Sequence, residues 1–164
     1  MILSKISKNI FLLFLISLVV SACATKKTTT TAQMDSQMQG DVYVGTDTVG
    51  ELAKGVPDRV FFATNKSSLT TASRATLRKQ ATFLRKNKNL NVTIEGHADE
   101  RGTREYNLAL GERRANAAKD YLMTYGISGK RISVISYGKE KPVNPKSSPL
   151  AWSQNRRSVT VKVN

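Results

Sequence analysis

From Asn91 to His97 the chain alternates, with Val92, Ile94 and Gly96 on one side and Thr93, Glu95 and His97 on the other. A period of two with one apolar side is the mark of a strand with one buried face. The same period returns at Ser158–Val163. Shorter β-branched and aromatic runs at Arg59–Thr64 and Ile132–Tyr137 predict two further strands. Between strands the period lengthens. Leu77, Ala81 and Leu84 recur at i, i+4 and i+7, which predicts a helix capped by Ser67 or Ser68 and ending in the polar run Lys86–Asn89. A second helix is predicted from about Arg104 to Tyr125, with Leu110, Ala117, Ala118, Tyr121 and Tyr125 on one side and Gly126 at its C-cap. Pro142, Pro145 and Pro149 mark the segment before the last strand as a loop. The order is β-α-β-α-β-β. It implies an α+β fold, a two-layer sandwich with helices on one face of a mixed four-stranded sheet.

The N-terminus follows another pattern. Lys5 and Lys8 precede an apolar run from Ile10 to Val20, and Ser21 and Ala22 lead into Cys23. That run is too short to cross a bilayer, which takes about 20 apolar residues, and reads as a signal peptide. Cys23 is the only cysteine and can form no internal disulfide. The segment Val20–Cys23 resembles the lipobox of bacterial lipoproteins, which implies a mature chain starting at Cys23 with a diacylglycerol on sulfur and an acyl group on the amine. Residues 24–55 are rich in Thr, Gln, Gly and Asp, the composition of a disordered tether. A flexible coil of this length has an r.m.s. reach of roughly 30 Å. Tyr43, Val44 and Val49 leave open an ordered arm in its second half. The expected organisation is therefore a signal peptide (1–22), a lipidated cysteine with a flexible linker (23–55), and one domain (56–164).

The chain carries a net charge of +14. Residues 56–164 hold 21 basic against 8 acidic side chains, so the basicity belongs to the domain. A basic domain raises nucleic acid as a partner, but an exported domain meets no regular nucleic-acid target. Many of the charges, such as Arg78, Lys79, Arg85 and Lys86, fall on the expected solvent face of the first helix.

Two residues carry candidate binding chemistry. Asp99 lies two positions past a strand end, where a local turn role and a ligand role are both open. Arg114 falls on the apolar stripe of the second helix, four residues after Leu110 and three before Ala117. A stem snorkelling to water is one reading of it, an anionic partner the other. An Asp and an Arg brought together suit a zwitterion, the Asp taking an ammonium and the Arg forking onto a carboxylate. An amino-acid α-centre is such a ligand. His97, the only histidine, has no metal-ligand companion and no nucleophile motif beside it. Glu100 and Arg101 are expected as exposed loop charges, Arg156 and Arg157 as solvated ones, and Trp152 as a packing residue. The sequence thus points to a nonenzymatic binding module without metal or cofactor.

The segments IEGHADERGT (Ile94–Thr103), EYNLALGERRANAAKDYL (Glu105–Leu122), ISVISYGKEKP (Ile132–Pro142) and NRRSV (Asn155–Val159) together resemble the peptidoglycan-associated lipoprotein family. These are the lipoprotein members of the OmpA C-terminal-like proteins. The match covers nearly all of residues 58–164. The resemblance implies the OmpA-like β-α-β-α-β-β sandwich and noncovalent binding of peptidoglycan through the meso-diaminopimelate of its stem peptide. Its binding Asp falls on Asp99 and its binding Arg on Arg114. It further implies an outer-membrane lipoprotein facing the periplasm, the Tol–Pal system with TolB as partner, and a role in outer-membrane invagination at division and in envelope integrity. A module whose main task is binding TolB, with the wall secondary, is the alternative. One departure stands out. The family's first strand shows acids in a pattern such as F-D-F-D, whereas here it runs Phe62-Ala63-Thr64-Asn65, and Asn65 brings no charge to the site.

Overall fold

The computed structural model describes residues 37–163. The signal-peptide and Cys23 expectations lie outside the described residues. Two short hairpins come first. β1 (Met38–Gln39) pairs with β2 (Val42–Tyr43), and β3 (Glu51–Ala53) with β4 (Val56–Pro57), both antiparallel. Then follow β5 (Arg59–Phe61), α1 (Thr71–Lys86), β6 (Asn91–His97), α2 (Arg104–Thr124), a 3-10 turn (Gly129–Arg131), β7 (Ile132–Gly138), α3 (Pro149–Asn155) and β8 (Arg157–Val163). The main sheet has the order β5-β8-β6-β7. β8 runs antiparallel to both of its neighbours, while β6 and β7 are parallel and joined through α2.

The four-stranded mixed sheet with helices on one face agrees with the sequence pattern. Val92 and Ile94 of β6 are buried with Leu77, Leu84, Ala118 and Leu122 of the helices. The helix details differ from expectation. Thr70, not Ser67 or Ser68, caps α1, its Oγ1 accepting the Ser73 amide at 3.1 Å. On α2 the buried side is Leu110, Gly111, Arg114, Ala115, Ala118 and Leu122, with Tyr121 and Tyr125 only partly buried at its margin. Small residues face the sheet because α2 lies close against β6. A side chain at Gly96 would run into the carbonyl of Gly111. This seam fixes the height of the helix over the strand end that carries Asp99.

Two segments depart from the sequence reading more broadly. The proline-marked loop contains α3, whose N-cap Ser148 accepts the Ala151 amide at 3.3 Å and whose first position is Pro149. Proline is favoured there, since the first helical N–H has no partner to lose. The expected linker also extends too far. Residues 38–57 form the two hairpins, with Tyr43 and Leu52 buried at 1% and 2% exposure. Tyr43 packs edge-on against Phe61, ring centroids 4.7 Å apart. Burial of these two side chains offsets the entropy that a sparse apolar composition leaves uncompensated elsewhere in the segment.

The glycine seam is open to a direct check. Gly96→Ala forces a methyl group against backbone, and overpacking of this kind costs about 3 kcal/mol. The expected result is a matching fall in urea-unfolding free energy, with Gly129→Ala as a control at a site whose nearest neighbours are the flexible ends of Met123 and Lys119 rather than backbone.

Candidate functional site

Three chain segments meet at the end of the sheet where β6 closes: the β5–α1 loop, the loop after His97, and the start of β8. Asp99 lies there at 7% exposure. Its Oδ1 accepts the Arg101 amide at 3.2 Å and Arg101 Nε at 3.0 Å. Its Oδ2 accepts Arg101 Nη2 at 2.8 Å and Arg156 Nη1 at 3.3 Å. Burial pushes the carboxyl up, but the Arg101 hydrogen bonds and the charges of Arg101 and Arg156 outweigh it, so Asp99 stays ionised below the ordinary carboxylate range.

Arg114 is fully buried, so its head does not snorkel. Its guanidinium donates to three main-chain carbonyls. Nε reaches Lys66 at 2.9 Å, Nη1 reaches His97 at 2.8 Å, and Nη2 reaches Ala63 at 3.1 Å. The cation also lies 5.4 Å from the centre of the Phe62 ring. Burial, with repulsion from Arg156, lowers its pKa to about 10, leaving it charged at neutral pH. Arg114 and Asp99 meet on one strand end, Arg114 holding the carbonyl of His97 and Asp99 following two residues later. Among the described residues they form no ion pair with each other; Arg114 is wired to backbone.

Asn65 sits in the loop that Arg114 holds from both sides. It is exposed, with φ of 55°, a left-handed conformation that Asn tolerates better than most residues. Asn65 and Thr64 line a surface cavity of about 580 Å³ whose other walls are Arg101, Gly102, Thr103 and Tyr106. A second cavity of the same size opens against α1 between Val56, Arg78, Phe83 and Lys86. Its charged lining residues, Arg78, Lys79 and Lys86, have no acidic partner among the described residues, whereas Arg101 on the wall of the first cavity is ion-paired with Asp99.

Several residues set aside on sequence grounds belong to this site. Arg101 is not a free loop charge: it pairs with Asp99 and stacks 4.4 Å from the Trp152 ring centre. Glu100, at the loop surface, accepts Trp152 Nε1 at 2.8 Å and the Ser147 hydroxyl, tying α3 to the loop. Arg156 and Arg157 are buried at 2% and 6% exposure, not solvated. Arg156 donates to the carbonyls of Phe62 and Asp41 as well as to Asp99. The adjacent arginines precede a strand, and that position alone gave no sign of burial. The Arg101–Asp99 spacing of two was a readable signal, since a side chain two residues on can fold back onto an Asp-led turn.

His97 is 1% exposed and neither ring nitrogen has a hydrogen-bond partner. Glu95 Oε2 stands 3.7 Å from Nε2, beyond hydrogen-bond range. Burial, followed by the charges of Arg157 and Arg59, lowers its pKa to about 3. The ring is neutral and serves packing beside Tyr137. Because the unfolded chain binds this proton near pH 6.5, stability is complete above that value and falls as pH drops toward 3. Between pH 7 and pH 5 the loss is about 2 kcal/mol. His97→Gln removes this slope, and urea titrations of both proteins at the two pH values measure it.

The OmpA family model matches residues 61–156. The chain is 45% identical to the peptidoglycan-associated lipoprotein of Rhizobium meliloti, over 97% of this chain and 90% of that protein. Among solved structures, the peptidoglycan-associated lipoprotein from Burkholderia pseudomallei superposes with a TM-score of 0.63 at 37% identity, covering 65% of this chain and 90% of that one. The C-terminal domain of Helicobacter pylori MotB shares the fold, with a TM-score of 0.61 at 20% identity, covering 65% of this chain and 84% of that one. With the glycine seam, Asp99 and Arg114 all inside the matched region, the chain belongs to the OmpA family, among the peptidoglycan-associated lipoproteins.

Proposed function

We propose that the domain binds peptidoglycan noncovalently and holds the meso-diaminopimelate of a stem peptide in the cavity beside Asp99. The observation that carries this is a cation on the recess wall backed by a carboxylate: Arg101 lines the cavity with Thr64 and Asn65, and Asp99 lies behind it, joined to it by hydrogen bonds. Arg101 is the movable partner, its side chain 42% exposed. Turning it outward brings the guanidinium to a ligand carboxylate and leaves Asp99, still held by Arg156, with only part of its charge for an ammonium. Arg114 acts from beneath the Thr64–Asn65 wall. Three of its five N–H groups hold the backbone, and the remaining two are assigned to the ligand carboxylate. Asn65 supplies a neutral hydrogen-bonding side chain at the rim.

The wider reading is a tether with no catalytic role. Cys23 carries the lipid that holds the chain in the outer membrane, a segment after it spans part of the periplasm, and the domain grips the wall. No helix among the described residues is long and apolar enough to cross a membrane. Membership of the family supports TolB and the Tol system as partners, with roles in outer-membrane invagination during division and in envelope integrity. Sacculus pull-down with and without TolB distinguishes wall binding from a domain whose first task is TolB.

Asp99→Asn is expected to reduce co-sedimentation with isolated sacculi at least ten-fold, and also to lower the unfolding midpoint, because buried Arg156 loses its acid partner; binding is therefore measured well below that midpoint. Arg114→Ala is expected to lose binding and also roughly 3 kcal/mol of stability, because three buried carbonyls lose their donor. Wild-type binding by both variants rejects the site. For the anchor, mass spectrometry of the membrane fraction is expected to show a chain starting at Cys23 with three acyl chains. An uncut or unacylated N-terminus rejects the lipid tether.

A further inference from the structure

The proposed site is short of free negative charge. An ionised carboxylate offers about four lone-pair positions. At Asp99 all four are taken, three by Arg101 and one by Arg156. Around this one acid stand three guanidinium groups, and two of them, Arg114 and Arg156, repel each other. Such a cluster welcomes the carboxylate of a zwitterion. Its ammonium needs a second anion.

Asp41 is in place to be that anion. It occupies, with Gly40, the two-residue turn between β1 and β2. Its Oδ2 accepts the amide of Thr64, a cavity-wall residue, at 2.6 Å. Its own carbonyl accepts Arg156 Nη2. Thr64 Oγ1 lies 3.5 Å from Arg101 Nη2. These contacts close a ring running from Asp41 through Thr64, Arg101, Asp99 and Arg156 back to Asp41. Unlike Asp99, Asp41 has no cation within ion-pair distance among the described residues, so its charge is uncommitted. The hairpin that presents it is pinned by Tyr43, buried against Phe61.

We propose that Asp41 is the second carboxylate of the ligand site and receives the ammonium of the bound zwitterion, so that the N-terminal hairpin, outside the family-matched region, forms part of the binding surface. This rests on the zwitterion reading of the cavity. Partial burial works against ionisation of Asp41, but the Thr64 hydrogen bonds and the Arg156 charge prevail and hold its carboxyl below the ordinary range. The group is therefore anionic at neutral pH.

The test uses the lipidated chain in detergent micelles and two soluble probes, titrated calorimetrically. One is the tripeptide L-Ala–D-Glu–meso-diaminopimelate, and the other is the same peptide acetylated on its side-chain amine. Asp41→Asn is expected to bind the free-amine probe roughly five-fold more weakly, the upper range for a partly exposed ion pair. It is expected to bind the acetylated probe as the wild type does, because no ammonium remains to be held. Asp41→Glu restores most of the loss. Asp47→Asn removes a different hairpin-side acid, one that accepts Gln154 Nε2, and leaves both affinities unchanged. Equal losses on the two probes overturn the proposal, since a hairpin that merely detaches weakens both alike. Undiminished binding of the free-amine probe by Asp41→Asn overturns it as well. Absence of wild-type binding, or full binding by Asp99→Asn, overturns the cavity assignment itself and this inference with it.

Discussion

One buried cation organises this end of the molecule. A guanidinium taken out of water is costly unless its donors are satisfied. Arg114 meets that cost with carbonyls rather than with a carboxylate. The carbonyls of Ala63 and Lys66 belong to the β5–α1 loop, and that of His97 to the end of β6. Ala63 and Lys66 lie outside any strand, while His97 is the last paired residue of β6, so the arginine ties an irregular loop to a strand end. The cavity wall at Thr64 and Asn65 and the loop carrying Asp99 keep their spacing through this one side chain. Because its donors are largely engaged, Arg114 is rigid, and the adaptable guanidinium of the site is Arg101.

Arg114 reaches these carbonyls only because α2 lies low on the sheet. Gly96 and Gly111 permit backbone-to-backbone approach, and the Ser136 hydroxyl donates to the Leu108 carbonyl at 2.6 Å, fixing the same helix to β7. A helix raised by one methyl group would lift the guanidinium from its acceptors. Packing at the seam and electrostatics at the site are thus a single constraint, and a loss in either is felt in both. This is why Arg114 sits on the stripe of small residues, where the helix is nearest the strand, and not on the side that carries Tyr121 and Tyr125.

Much of this was legible in the sequence. Alternation at Asn91–His97 and Ser158–Val163 reflects burial of one sheet face, a local pattern with a fold-wide cause. Arg114 announced itself because a cation on an apolar stripe has few explanations. Its partners did not, since carbonyls carry no residue-type signature. The same holds for Arg156, whose contacts with Phe62, Asp41 and Asp99 span long separations in the chain. α3 was hidden because Pro149 reads as a breaker unless Ser148 is recognised as the cap that makes it a first-turn residue. The hairpin around Tyr43 was hidden for a compositional reason. Two well-buried side chains suffice to dock a short segment on a preformed surface, and average polarity over 24–55 dilutes them.

The basicity of the domain also acquires a different meaning. Counted along the chain, 21 basic residues between 56 and 164 suggest a polyanion-binding surface. Four of the arginines instead donate to backbone carbonyls: Arg114, Arg156, Arg157 and Arg131, the last reaching Leu84, Asn87 and Leu90. Arg59 is held by its neighbour Asp58 at 2.7 Å. These charges fasten turns and loop ends that lack regular partners, and they set the field inside the domain rather than on its surface. Near Asp99, three guanidinium groups converge on few acids. In the proposed binding mode such a cluster favours the ligand's carboxylate, and its ammonium falls to the small number of acids present, so each acid there bears more of the specificity than any one of the arginines.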